Sequence, residues 1–236
     1  MLKVDLHLHT ADDPRDAIPH SAHALVDRAA ALGFDALAVT LHDRQHQDAR
    51  LAAYARERGV LLIPGVERSV RRRHVLLLNF DPAAAEAVRS LDDLAPLKRH
   101  ANGLVIAPHP FFPGRTCLRS ALDVYAEVFD AVEWSYFWTR ALNFNARAAR
   151  WARRYGKPLV GNSDLHDLRQ LGRTYSLVDA PRDVDAIVAA VRAGRVRLCT
   201  EPAPLVQAVD VFARMWLRGR KPAGRAVSAG EFAQTL

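Results

Sequence analysis

Two stretches carry the chemistry most visibly: Asp5-Leu6-His7-Leu8-His9-Thr10 and Asn162-Ser163-Asp164-Leu165-His166. In an extended strand residues i and i+2 face the same way, so His7 and His9 project side by side, as two ligands of one metal ion require. Taken alone, such a pair reads equally as two buried, hydrogen-bonded histidines. Asp164 and His166 repeat the spacing directly after an apolar run. Between the pairs come Thr40-Leu41-His42-Asp43, Gly65-Val66-Glu67, Arg73-His74-Val75 and Ala107-Pro108-His109-Pro110, each joined to an apolar run of its own. A mixed imidazole and carboxylate set suits zinc, manganese or iron rather than the all-oxygen shell of calcium, and it has no thiolate to suggest a structural zinc. Divalent ions so held lower the pKa of a bound water to give hydroxide near neutral pH, which points to hydrolysis by metal-activated water with no side-chain nucleophile.

The elements that position these groups follow from periodicity. Apolar runs at residues 2–8, 36–40, 60–66, 74–80, 104–107, 131–134 and 159–161, with shorter ones at 174–178 and 195–199, read as strands. Amphipathic stretches at 21–32, 47–58, 83–91, 118–128, 140–155 and 182–193 read as the helices between them, with Ser21 as an N-cap. Strand–helix alternation argues for an α/β fold with a largely parallel sheet. His9, His42, Glu67, His109 and Asp164 each follow or close an apolar strand, and a barrel gathers all such ends into one mouth. The expectation is a distorted, TIM-like (β/α)7 barrel with the site at the C-terminal mouth of its strands. His74 fits only if residues 68–73 fold as a tight hairpin that returns it beside Glu67; otherwise it lies at the wrong end of a parallel strand. The barrel is expected over residues 1–200, and 201–236, richer in Pro, Arg and Gly, as a tail packed outside it.

Composition narrows the class. With 236 residues, 50% hydrophobic and 25% charged, the chain buries a full core, which excludes disorder, collagen and short disulfide scaffolds. Two cysteines, Cys117 and Cys199, cannot staple a domain of this size, and there is neither a leader pattern nor an apolar run long enough to span a membrane, so a cytoplasmic protein is expected. The net charge of +7 favours anionic partners, either phosphate esters or nucleic acid.

In their order along roughly residues 2 to 200, these motifs resemble the polymerase-and-histidinol-phosphatase (PHP) phosphoesterases. The resemblance implies two or three divalent ions in a distorted seven-stranded barrel, held by His7, His9, Asp16, His42, Glu67, His74, His109, Asp164 and His166. It further implies a division in which His7, His9, Glu67 and Asp164 hold one ion. Glu67 shares a second with His74 and His109, and Asp16, His42 and His166 hold a third. Asp12, Asp13 and His20 lie in the same loop as Asp16 and are alternatives to it. This chain departs from the family pattern at Leu41 and Leu165 without losing a ligand. Only 34 residues separate His74 from His109, too few for the cap domain some members insert, so an open mouth is expected.

With the positive charge, the resemblance favours hydrolysis of a small anionic phosphate monoester. The rivals are a phosphodiesterase or exonuclease acting on nucleic acid, and a non-catalytic metal-bound module serving a partner. Arg115 and Arg173, six and seven residues beyond His109 and His166, are candidates to bind the substrate phosphate. Asp43 and His20 are candidates to orient ligand imidazoles. The aromatic run Trp134-Ser135-Tyr136-Phe137-Trp138 either walls the substrate cavity or caps the barrel. His23, His46 and His100 match no motif, Arg71-Arg72-Arg73 reads as a solvated turn, and residues 214–221 read as an outer helix.

Overall fold

The computed structural model describes residues 1–99 and 101–218. Among the described residues one sheet contains β1 (Leu2–Leu8), β2 (Ala36–Val39), β3 (Leu61–Val70), β4 (Arg73–Leu78), β5 (Leu104–Ala107), β6 (Ala131–Ser135), β7 (Leu159–Asn162), β8 (Thr174–Val178) and β9 (Val196–Thr200). Their order in the sheet is 7-6-5-4-3-2-1-8-9. The α-helices are α1 (Ala22–Ala31), α2 (Ala49–Glu57), α3 (Pro82–Ala87), α4 (Leu94–Arg99), α5 (Ala121–Val124), α6 (Asn145–Tyr155), α7 (Val184–Arg192) and α8 (Leu205–Arg218). None of them is long and apolar enough to cross a membrane.

The sheet is mixed rather than largely parallel. β1, β2 and β3 run parallel, as do β5, β6 and β7. β4 is antiparallel to both its neighbours, and β8 to both of its own. A parallel neighbour for β3 would need a crossover of about a dozen residues. Instead Arg71 and Arg72, with φ of 45° and 72°, make a two-residue hairpin turn. The hairpin pairs Ser69 with His74 and reverses the strand, so His74 enters from the same end as Glu67.

The sheet curls until β7 meets β1 and β8, making a nearly closed barrel. Leu8 bridges Leu165, and Gly161 N–H donates to Ser176 Oγ at 2.8 Å while that hydroxyl donates to the Gly161 carbonyl at 3.1 Å. A Cβ on Gly161 would stand 2.6 Å from the Tyr175 carbonyl oxygen, so this close approach requires glycine. Inside, Val4, Leu6, Ile63, Leu76 and Ile106 pack into the core, and Ile187, Val188 and Val191 of α7 pack with them. Outside, α1 lays Leu25, Val26 and Ala29 on the sheet, with the Ser21 hydroxyl accepting from Ala24 N–H at its start. Each fully buried leucine in these layers contributes about 1.5–3 kcal/mol relative to exposure.

α8 is tied to the mouth of the barrel: Arg169 Nη1 meets Asp210 Oδ2 at 2.7 Å, Gln207 Nε2 donates to the Arg169 carbonyl at 3.1 Å, and the Phe212 and Phe137 rings lie 5.8 Å apart. Residues 219–236, and His100, lie outside the described residues.

Candidate metal centre

The predicted ligands converge at the mouth of the barrel. His7 and His9 come from the end of β1, His42 follows β2, and Glu67 lies on β3 where it bridges His42. His74 opens β4, His109 follows β5, and Asp164 and His166 follow β7. At the centre is the buried Glu67 carboxylate. His7 Nε2 and His9 Nε2 lie 3.4 Å from its oxygens, His109 Nε2 3.2 Å, His42 Nε2 3.0 Å and His74 Nδ1 2.6 Å. Asp164 Oδ1 stands 3.4 Å from His7 Nε2 and 3.6 Å from both His9 Nε2 and His166 Nδ1, and Asp16 Oδ2 is 3.3 Å from His166 Nε2.

These separations fit metal ligation. Donor atoms sharing a tetrahedral ion at about 2.0–2.1 Å stand about 3.3 Å apart. His74 Nδ1 is buried, sits at ion-pair distance from Glu67 without a hydrogen bond, and has no other hydrogen-bond partner. Two of the predicted ligands, His109 and Asp164, hold φ of 29° and 46°, left-handed conformations that non-glycine residues keep only where their surroundings impose them.

A second layer sets the rings. Asp13 Oδ2 lies 2.9 Å from His9 Nδ1 and 3.0 Å from His42 Nδ1, and Glu133 Oε1 lies 3.0 Å from His7 Nδ1. A carboxylate only accepts, so each Nδ1 carries a proton and each Nε2 is left facing the centre. His166 Nδ1 is held the same way by the Asp164 carbonyl at 2.9 Å.

The electrostatics reflect this packing of opposite charges. Burial opposes charge on His7, but Asp164, Glu133 and Glu67 outweigh it and hold the imidazole well above its ordinary pKa. His42 is likewise pushed up to about 10 against its burial, by Glu67 and Asp13. Burial would raise Glu67, yet His74, His7 and His42 hold it well below the usual carboxylate range. Asp5, buried beneath the site where it accepts from the His7 and Ser163 N–H groups, is raised by burial to about 7.

Comparison with known proteins agrees with this architecture. Residues 143–196 match the family model described as PHP-associated. The chain is similar in structure to a two-domain protein from Bacteroides vulgatus containing a predicted PHP-like metal-dependent phosphoesterase, with a TM-score of 0.63 and 20% identity, over 91% of this chain and 69% of that one. The chain has the fold of PHP-like proteins, and the family model covers its residues 143–196. PsfC from Pseudomonas syringae superimposes on this chain with a TM-score of 0.64 at 21% identity, over 92% of this chain and 96% of its own. The lesion-specific endonuclease PfuEndoQ from Pyrococcus furiosus does so with a TM-score of 0.56 at 16%, over 94% and 72%. At these identities the likeness is one of fold. No curated protein matches the sequence.

The site also draws on residues that the sequence alone does not single out. By sequence Glu133 is only part of a strand and Asp13 only an alternative to Asp16; both are fully buried and hold the rings of predicted ligands. The signal for Glu133 was a lone carboxylate inside the apolar run of β6. Asp43 orients no imidazole: it pairs with Arg15 and with Arg68 Nη1 at 2.8 Å and accepts from Ser69 N–H. His20 Nε2 meets the His9 carbonyl, not a ring.

A cavity of about 280 Å³ opens over the ligands. Arg15 is a cation on its wall, held by Asp43 and by Ser69 Oγ at 2.7 Å. Arg115 is exposed and Arg173 stands 3.8 Å from Glu201; neither lines this cavity. The aromatic run divides, Phe137 lining the cavity and Tyr136 lying fully buried. Phe212 and Met215 of α8 are among the residues that line the cavity.

Proposed function

We propose that this chain is a PHP-type metal-dependent hydrolase of small phosphate monoesters. The observation that carries the reading is the Glu67 carboxylate, buried among five imidazole nitrogens within 3.4 Å beneath a cavity that Arg15 lines. His7, His9, Glu67 and Asp164 would hold one ion, Glu67, His74 and His109 a second, and Asp16, His42 and His166 a third. Bound there, such ions supply a nucleophilic water near neutral pH and neutralise phosphate charge. The chain does the rest. Asp13 and Glu133 keep the Nε2 lone pairs of His9, His42 and His7 turned inward, and Glu67 and Asp164 offset the charge of the ions. Arg15 offers a guanidinium to a phosphate oxygen, and the cavity, small by the standard of ligand sites, suits a compact ester.

Metal analysis of the purified protein, with turnover of para-nitrophenyl phosphate and its bis ester with and without added manganese, tests this. Two or three metal equivalents and a preference for the monoester are expected. His7→Ala or Asp164→Ala should lower metal content and turnover together, and His23→Ala should leave both intact. No metal after reconstitution would overturn the reading.

A second reading, a diesterase acting on nucleic acid, is favoured by the net charge of +7. Preference for the bis ester and inhibition rising steeply with salt would select it.

A further inference from the structure

The cavity is chemically divided. Its floor is imidazole and carboxylate, from His42, Glu67, His109 and Asp164, whereas Phe112, Phe137, Phe212 and Met215 stand on its wall. Phe212 is 62% exposed although α8 is anchored around it: Val211, its neighbour, is 1% exposed, and Asp210 is paired with Arg169. Of the strongly exposed apolar side chains on α8, Phe212 is the one that lines the cavity. Its ring meets that of Phe137 at 81°, edge against face, so the two form an aromatic corner at the mouth. An apolar surface held in water beside a cavity is stabilised by any ligand that covers it, and on the phosphoester reading the floor below would take an anion through bound cations.

We propose that Phe212, with Phe137, determines specificity by receiving a flat apolar group one ring's width from the phosphate. The ligand is therefore a phosphate ester of an aromatic or similarly apolar alcohol, bound phosphate inward. This inference rests on the phosphoester reading above, and it assigns the C-terminal helix a part in substrate selection.

Calorimetric titration of the metal-reconstituted full chain with phenylphosphonate and methylphosphonate, stable stand-ins for the two kinds of ester, decides it. Phenylphosphonate should bind on the order of tenfold more tightly, about one ring's worth of partial burial. Phe212→Ala should remove most of that preference while leaving methylphosphonate affinity within about twofold, and metal content unchanged. Phe212→Tyr should retain the preference. Equal affinities in the unmodified protein, or a preference that survives Phe212→Ala, overturn the proposal while leaving the phosphoester reading standing. A Phe212-dependent preference in a protein that hydrolyses no phosphate ester upholds the aromatic corner and overturns that reading. Binding of neither phosphonate overturns both.

Discussion

Glu133 and His7 are locked together at 3.0 Å through Oε1 and Nδ1, while the other oxygen of Glu133 accepts the His109 backbone N–H at 2.6 Å. One carboxylate thus positions two predicted ligands, one on β1 and one in the loop after β5. Glu133→Gln should weaken metal affinity about 10- to 100-fold, with the fold retained, as read by competition against a chelator and by circular dichroism. Unaltered affinity would show that His7 needs no such support.

Asp13 and Asp16 are neighbours in one loop with different duties. Asp13 is fully buried and also accepts from the N–H groups of His42, Arg15 and Asp16. Asp13→Ala leaves several buried donors unpaired and should cost at least about 3 kcal/mol. Asp16→Ala, which disturbs a partly exposed group beside His166, should cost under about 1 kcal/mol while lowering metal content. Urea titration of the two variants checks the order; similar midpoints would refute it.

Metal loading should release protons. The neighbouring carboxylates raise His42 to about 10 and hold His7 and His109 well above the ordinary imidazole value, so at neutral pH these rings carry protons that ligation must displace. Affinity should accordingly fall as pH falls. Binding enthalpies measured in two buffers of different ionisation enthalpy should differ; identical enthalpies would mean that no proton leaves.

Closure of the barrel should be sensitive at Gly161. A methyl group there meets the Tyr175 carbonyl and Leu198 Cδ1 at 2.6 and 2.5 Å, so Gly161→Ala should lower stability by about 1–3 kcal/mol. At Gly114 the nearest atom to an added Cβ is 3.5 Å away, and Gly114→Ala is the control expected to melt near the parent.

The parts of this fold that were legible in the sequence are those that depend on near neighbours. The i, i+2 spacing of His7 with His9, and of Asp164 with His166, needs only the local backbone to bring each pair to one side. The same holds for the hairpin between Glu67 and His74, a matter of two residues at positive φ. What escaped notice depends on distant partners. Glu133 looks like any strand residue until β7 and β1 bring Asn162 and His7 to it. Arg15 was overlooked in favour of Arg115 because only the fold reveals which arginine Asp43 holds over the cavity. The apolar faces of α8 announce that the helix packs, but not that it packs across the mouth. The direction of β8 was equally silent, since alternation gives burial and not polarity of the chain.

The meeting of β1 and β7 has one more consequence. No continuous ladder joins these strands; the backbone-to-backbone link is the Leu8–Leu165 bridge, with His9 N–H donating to the Leu165 carbonyl at 3.1 Å and Leu165 N–H to that of His7 at 3.3 Å, beside the side-chain ties from Leu6 N–H to Asn162 Oδ1 and from Ser163 N–H to Asp5. The residues on either side of that bridge are His7 and His9 on one strand and Asp164 and His166 beyond the other, so an ion shared between them would act as a clasp. Holding the ion and holding the cylinder shut would then be one equilibrium, and starving the protein of metal should let amide hydrogens along this join exchange first, before the rest of the sheet loosens.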